Sequence, residues 1–229
     1  MVEKAGIQDD WVQKENTGLI VPSEARRIVT SSEVREMLGI NVPDLLDTTP
    51  PSPDVIARRE QEFFASIKKG GLPGIRTQLN EGVLIAPDYS FISVDGLAAP
   101  RLNLSHHIMN AVIFMNSELM GLKAVGLSLV QSIFVDTELS SGLLNGADAR
   151  GFIVMTSRAQ GTKIMGGNFS YSQWINADCR DMTFIGTVLR GATFLTPMID
   201  GMKFINCDTT DVVFPSGVKL PEGLIARRK

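Results

Sequence analysis

The chain has 229 residues, with 22 Lys and Arg against 25 Asp and Glu, two His, two Cys, 44% hydrophobic and 21% charged residues. That is the composition of one ordinary domain with room for a small appendage. A net charge of −3 removes the electropositive footprint that binding to a phosphate backbone needs. No run approaches the roughly eighteen apolar residues of a membrane span, and Met1 to Asp10 lack the basic and apolar regions of a signal peptide. Two cysteines make no disulfide framework, so the expectation is a soluble, cytoplasmic protein.

In chain order, a short helix is expected from Ser32 to Leu38, stopped by Gly39. The stretch from Val42 to Pro53 carries four prolines and two adjacent threonines and reads as an extended linker. Ser52, Pro53 and Asp54 then give the cap and first turn of a longer helix, with Val55, Ile56, Phe63, Phe64 and Ile67 on its apolar side and Gly70 and Gly71 as its stop. This N-terminal segment, 1–83, is too small for a large core of its own. It is expected to lie against the rest of the molecule, to cap one end of it, or to meet another chain.

From Leu104 onward every fifth residue but one, Thr209, is apolar. Met109, Phe114, Leu119, Ala124, Leu129, Phe134 and so on to Phe214 make 23 positions, of which 22 are apolar; composition alone would supply roughly 10. Two residues before each centre the side chain is mostly small (Ser117, Ser132, Ala147, Ser157, Ala177, Ala192). Two residues after it stand nine of the eleven glycines between Arg101 and Phe214, and Asn116, Asn176, Asp181, Asn206 and Asp211 share that slot. Gly, Asn and Asp tolerate left-handed backbone angles, so the slot reads as a corner.

A period of five fits neither common element. On a helix five steps overshoot a full turn by about 140°, which smears the apolar set around the cylinder. On a flat strand an odd period sends successive centres to opposite faces. The pattern closes if the chain bends after every unit, so that each centre, and the small residue two before it, points to one axis.

Units such as Ala147-Asp148-Ala149-Arg150-Gly151, Gly167-Asn168-Phe169-Ser170-Tyr171 and Ala177-Asp178-Cys179-Arg180-Asp181 resemble those of the pentapeptide-repeat family. The resemblance covers about half the chain and implies an all-β fold, a right-handed quadrilateral parallel β-helix with four units per coil and a small, partly helical N-terminal segment. Twenty-three units give about six coils in a rod about 28 Å long, with the repeat region spanning 84–215 and a tail over 216–229. Upstream, the register extends through Val94 and, less regularly, Leu84. Leu122, Leu127, Phe152, Met182, Pro197 and Met202 occupy the small slot, where bulged corners or irregular coils are expected of a divergent member.

Candidates for chemistry are few. His106 and His107 are adjacent, so on a strand they face opposite ways and do not converge on a metal. Cys179 is a centre and Cys207 a small-slot residue, which makes both core side chains. No nucleophile motif frames a Ser, and the glycines are spaced as corners with no phosphate loop among them. No enzymatic activity, catalytic residue, metal or cofactor is expected, and Arg227-Arg228-Lys229 reads as a solvated tail.

Residues flanking a centre point outward, and residues twenty apart stack. One face then carries Ile113, Met115, Ile133, Val135, Ile153, Met155, Ile175 and Leu195, a continuous apolar stripe of the kind that marks an interface. The opposite face is a weaker version, with Val125, Met165, Ile185 and Ile205 interrupted by Lys123, Asn145, Lys163 and Lys203.

The stripe has two readings, cover by the chain's own helix through Phe63, Phe64 and Ile67, or contact with another subunit or a protein partner. The function expected is therefore that of a non-enzymatic structural or protein–protein interaction rod, with a homo-oligomer as the expected state. The family also suggests inhibition or protection of a DNA topoisomerase by duplex mimicry. Eight basic and nine acidic residues between Arg101 and Phe214 cannot imitate a duplex with a negative charge about every 1.7 Å. A secreted effector or adaptor is a further alternative on which the sequence is silent.

Overall fold

Side chains five apart turn inward along a single axis because the backbone turns a corner after every unit. In the computed structural model, which describes residues 50–72, 76–78, 83–196 and 198–224, those corners are left-handed without regard to residue type. Gly121 (φ 70°), Gly146 (64°) and Asn176 (49°) adopt the angle, but so do Ala111 (53°), Gln131 (58°), Thr156 (50°) and Tyr171 (60°). A non-glycine residue held there costs about 1–2 kcal/mol. Each corner recovers a hydrogen bond to the next coil, as in Ala111 N–H to the Val130 carbonyl at 2.9 Å and Gln131 N–H to that of Arg150 at 2.8 Å.

Five residues less a corner leave room for strands of three. One helix, α1 (Pro53–Lys68), is followed by β1 (Arg76–Gln78) and β2 (Val83–Ile85). The solenoid strands are β3 (Ser93–Asp95), β4 (Ile113–Met115), β5 (Lys123–Val125), β6 (Ile133–Val135), β7 (Leu143–Asn145), β8 (Ile153–Met155), β9 (Lys163–Met165), β10 (Gln173–Ile175), β11 (Thr183–Ile185), β12 (Thr193–Leu195) and β13 (Lys203–Ile205). They build two parallel sheets, β12-β10-β8-β6-β4-β3 and β13-β11-β9-β7-β5. The register is twenty throughout, with Phe114 on Phe134 and Phe184 on Phe204. Single parallel bridges such as Glu118 to Glu138 and Ser128 to Asp148 form the other two sides. The result is a right-handed, four-sided parallel β-helix of about six coils.

The first ladder bond is Ile108 N–H to the Pro87 carbonyl at 2.9 Å. Val94 is a fully buried centre, and the coil through Phe91 to Arg101 pairs regularly with the next. Leu84 departs from the register because β1 and β2 form an antiparallel hairpin in which it pairs with Thr77. At the other end the tail still pairs as far as Glu222, whose carbonyl accepts from Phe204 N–H at 2.9 Å. The basic terminus lies outside the described residues, as do the expected 32–38 helix and Pro197.

The large residues in the small slot do not bulge the coils. Leu122, Leu127, Phe152, Met182 and Met202 are all at most 2% exposed, and the ladder runs through them, as in Leu143 N–H to the Leu122 carbonyl at 2.8 Å and Gln173 N–H to that of Phe152 at 2.8 Å. Their volume is compensated by small neighbours: Ala124 stands between Leu122 and Leu127, Ala149 precedes Phe152, and Cys179 precedes Met182. Conserving total volume is what a packed core requires.

Serines in that slot have a second task. The hydroxyls of Ser117, Ser132 and Ser157 accept from the backbone N–H of Leu97, Val112 and Thr137, one coil earlier, at 3.2, 3.2 and 2.9 Å. Buried N–H groups that the ladder leaves over are thereby satisfied.

Aromatic centres stack along the axis. Trp174 lies on Phe194 at 5.9 Å, Phe194 on Phe214 at 5.0 Å, and Phe184 on Phe204 at 5.1 Å, all with nearly parallel rings. Helix α1 extends this stack at the N-terminal end. Phe63 is fully buried, 5.4 Å from the Tyr89 ring and 6.3 Å from that of Phe114. Arg59 donates to the Ser90 carbonyl at 2.9 Å and pairs with Asp88, while Glu60 accepts from Ser93 N–H at 3.0 Å. The helix therefore closes the end of the rod, where it prevents the first coil from exposing its core, and Phe63 meets inward rings, not the outer stripe.

Candidate interaction face

The strand register brings the eight residues singled out by the sequence onto one sheet. Ile113, Ile133 and Ile153 stack at the first position of β4, β6 and β8, and Met115, Val135, Met155, Ile175 and Leu195 stack at the last position of β4, β6, β8, β10 and β12. The two columns differ in exposure. Ile113 is 4% exposed and Ile133 and Ile153 are 0%, beside a corner column in which Ala111, Gln131 and Gly151 are also buried. These outward side chains are enclosed by the chain itself. Met115, Val135, Met155 and Ile175 are half-buried and Leu195 is 47% exposed, so the surface that another molecule can reach is this second column. Four steps of about 4.8 Å make it an apolar ridge about 19 Å long.

A polar corner column borders the ridge. Asn116 donates to Asp95 at 2.9 Å, and Thr156 donates to Asp136 at 2.5 Å. The two bridged sides are mostly polar, and their four arginines are paired. Arg158 holds Glu138 one coil away at 2.8 Å, Arg150 holds Asp148 at 2.8 Å, Arg180 holds Asp178 at 2.5 Å, and Arg190 holds Asp208 at 2.9 Å. Hydrogen bonds from Thr210, with a further one from Arg190, hold the Asp208 carboxyl down to about 2. Hydrogen bonding by Arg180 lowers that of Asp178. At Glu138 burial works against ionisation, and the hydrogen bonds of Ser140 and Arg158 outweigh it to leave the value lowered.

The two histidines diverge as their adjacency requires. His106 is exposed, whereas His107 is 3% exposed, its Nδ1 2.8 Å from the Ser105 carbonyl and its ring stacked on Tyr89. Cys179 and Cys207 are both buried. Among the described residues no group of three or more His, Cys, Asp or Glu converges, and no helix is long and apolar enough to cross a membrane. A small void near Leu122, Phe152, Ala159 and Trp174 has about 20 Å³. That is the space of a single water, too small for a ligand.

Burial, and then the charge of Asp178, pushes the Cys179 thiol well up, and the thiolate is the reactive form. Native protein should leave Cys179 unlabelled by a disulfide reagent and label it once unfolded in guanidinium. Prompt labelling of Cys179 in native protein, mapped by peptide mass, would contradict the closed core.

No family model matches the chain, and no curated protein matches it. Solved structures do. QnrB1, a plasmid-mediated fluoroquinolone resistance protein, is similar at 14% identity over 60% of this chain and 90% of its own, with a TM-score of 0.35. The pentapeptide repeat protein Rfr23 from the cyanobacterium Cyanothece is similar at 16% identity over 56% and 91%, TM-score 0.26. A pentapeptide repeat protein of the Arabidopsis thaliana thylakoid lumen is similar at 21% identity over 67% and 78%, TM-score 0.20. Overall similarities this low carry no functional argument; the solved structures that the chain resembles are pentapeptide repeat proteins, and its own five-residue register and twenty-residue coil fit a four-sided β-helix of that kind.

Proposed function

We propose that this chain is a non-enzymatic interaction rod that self-associates through the ridge of Met115, Val135, Met155, Ile175 and Leu195. The observation that carries the reading is the register: five apolar side chains align on one column of the surface, while the two bridged sides pair their arginines with carboxylates. A rod with no partner would be expected to carry polar residues at outward positions, as its own bridged sides do. Duplex mimicry is disfavoured, since eight basic residues stand among the nine acidic ones between Arg101 and Phe214 and four of those carboxylates are tied to a guanidinium. A 19 Å ridge buries modest area, so the affinity is moderate unless the assembly repeats the contact.

The test is Val135→Lys with Met155→Lys. The half-exposed positions let the lysine heads reach water, so the rod should keep its thermal midpoint while light scattering shows the mass falling to 24.9 kDa. An unchanged assembly state would refute the ridge as the interface. Ile133→Lys is the contrasting variant: its side chain is enclosed, and the account expects it to destabilise the fold, not the assembly.

A further inference from the structure

The opposite sheet has a different chemistry, and its inference stands apart from the ridge. Lys123, Lys163 and Lys203 open β5, β9 and β13, all three exposed. No ion pair engages them among the described residues. Val125 (37% exposed), Met165, Ile185 and Ile205 (44%) close β5, β9, β11 and β13. The strands β5, β7, β9, β11 and β13 contain no Asp or Glu; the first carboxylate in the lysine column is Glu222, bridged to Lys203 beyond the last strand. The surface is a file of cations on alternate strands beside a file of apolar side chains interrupted by the exposed Asn145, and no ion pair among the described residues answers its charge.

We propose that this sheet docks an acidic amphipathic helix of a partner protein, laid along the rod with a carboxylate on every seventh residue. The spacing selects the occupant. The lysines stand on alternate strands, so successive ones are about 9.6 Å apart and the three span about 19 Å. Seven residues of helix rise about 10.5 Å and fourteen about 21 Å, and residues seven apart lie on one side of a helix. An extended strand needs about three residues to cover the same interval, an odd step that sends alternate carboxylates away from the sheet. The apolar file lies two residues further along each strand, about 7 Å from the lysines. Helix positions three and four after each carboxylate flank it on either side, so one of the two reaches the apolar file. Leu143 and Thr183, half-buried on the intervening strands, leave room between the lysines.

The probe is a synthetic 22-residue helical peptide with Glu at every seventh position and Leu three and four residues after each. Its comparison peptide has the same composition with Glu at every fifth position. Anisotropy titrations with the full chain at low salt should show the seven-residue peptide binding and the other weaker by about tenfold. Lys123→Glu, Lys163→Glu and Lys203→Glu together should weaken the matched peptide at least tenfold and favour a peptide with Lys in place of Glu. These side chains are exposed, so the thermal midpoint should hold; Lys→Gln at the same three sites gives a second, charge-neutral series. The Val135→Lys, Met155→Lys variant should bind the peptide unchanged, which separates this face from the ridge. Equal binding of both peptides, indifference to charge reversal, or binding to phosphatidylserine vesicles without peptide binding would each overturn the proposal.

Discussion

Replacing Phe134 by Asp should abolish cooperative unfolding at room temperature. Phe134 is 1% exposed and its ring lies 4.8 Å from that of Phe114 and 4.9 Å from that of Phe152. The substitution removes a buried aromatic, worth about 3–5 kcal/mol, and then places a carboxyl where no partner can reach it, at a further cost of about 2 kcal/mol or more. Losses of that size approach the whole stability of an ordinary domain. Met120→Asp is the control: Met120 also belongs to the repeat but is 50% exposed, so the change should stay within about 0.5 kcal/mol. Circular dichroism during a urea titration checks both, and equal stability of the two variants would refute the inward placement of the centres.

The second large effect is expected at Gly167. It is a small-slot residue, yet its φ is +84°, unlike the extended backbone that the slot otherwise takes. A Cβ there would stand 2.3 Å from the Ala147 carbonyl oxygen and 2.9 Å from its nitrogen. Those atoms belong to the ladder, where Asn168 N–H donates to the same Ala147 carbonyl at 2.9 Å, and they cannot swing aside as a side chain would. Gly167→Ala should therefore cost about 3 kcal/mol or more, by left-handed strain and by separating two coils. Gly146 has a similar φ, +64°, with nothing near its missing Cβ, and Gly146→Ala should cost only about 1 kcal/mol. A urea titration that ranks the two equally would mean that the coils can part at Gly167 without loss.

Most of the solenoid was legible because its rule is local and repeats without insertion. The centres from Leu104 to Phe204 point inward as the period requires, and the glycine-bearing slot is the corner. The sequence obscures corners such as Thr156, Gln131 and Tyr171, whose side chains give no sign of positive φ; the neighbouring coils impose it through the ladder. It also suggested bulges at Leu122 and Phe152, because a single unit does not reveal that Ala124 and Ala149 vacate the volume these side chains fill.

Exposure was the least legible property. Period and alternation place Ile113, Ile133 and Ile153 outward, but alternation along a strand does not tell whether an outward residue meets water, and these three are buried. The cationic file was readable as three lysines, although only the absence of an ion pair to them among the described residues makes it a candidate surface.

Self-association of the rod is tested most directly by sedimentation of the wild-type protein across a dilution series from high to low micromolar. The account predicts a weight-average mass above 24.9 kDa at the concentrated end that falls toward the single-chain value on dilution. A mass fixed at the single-chain value across the series would contradict it.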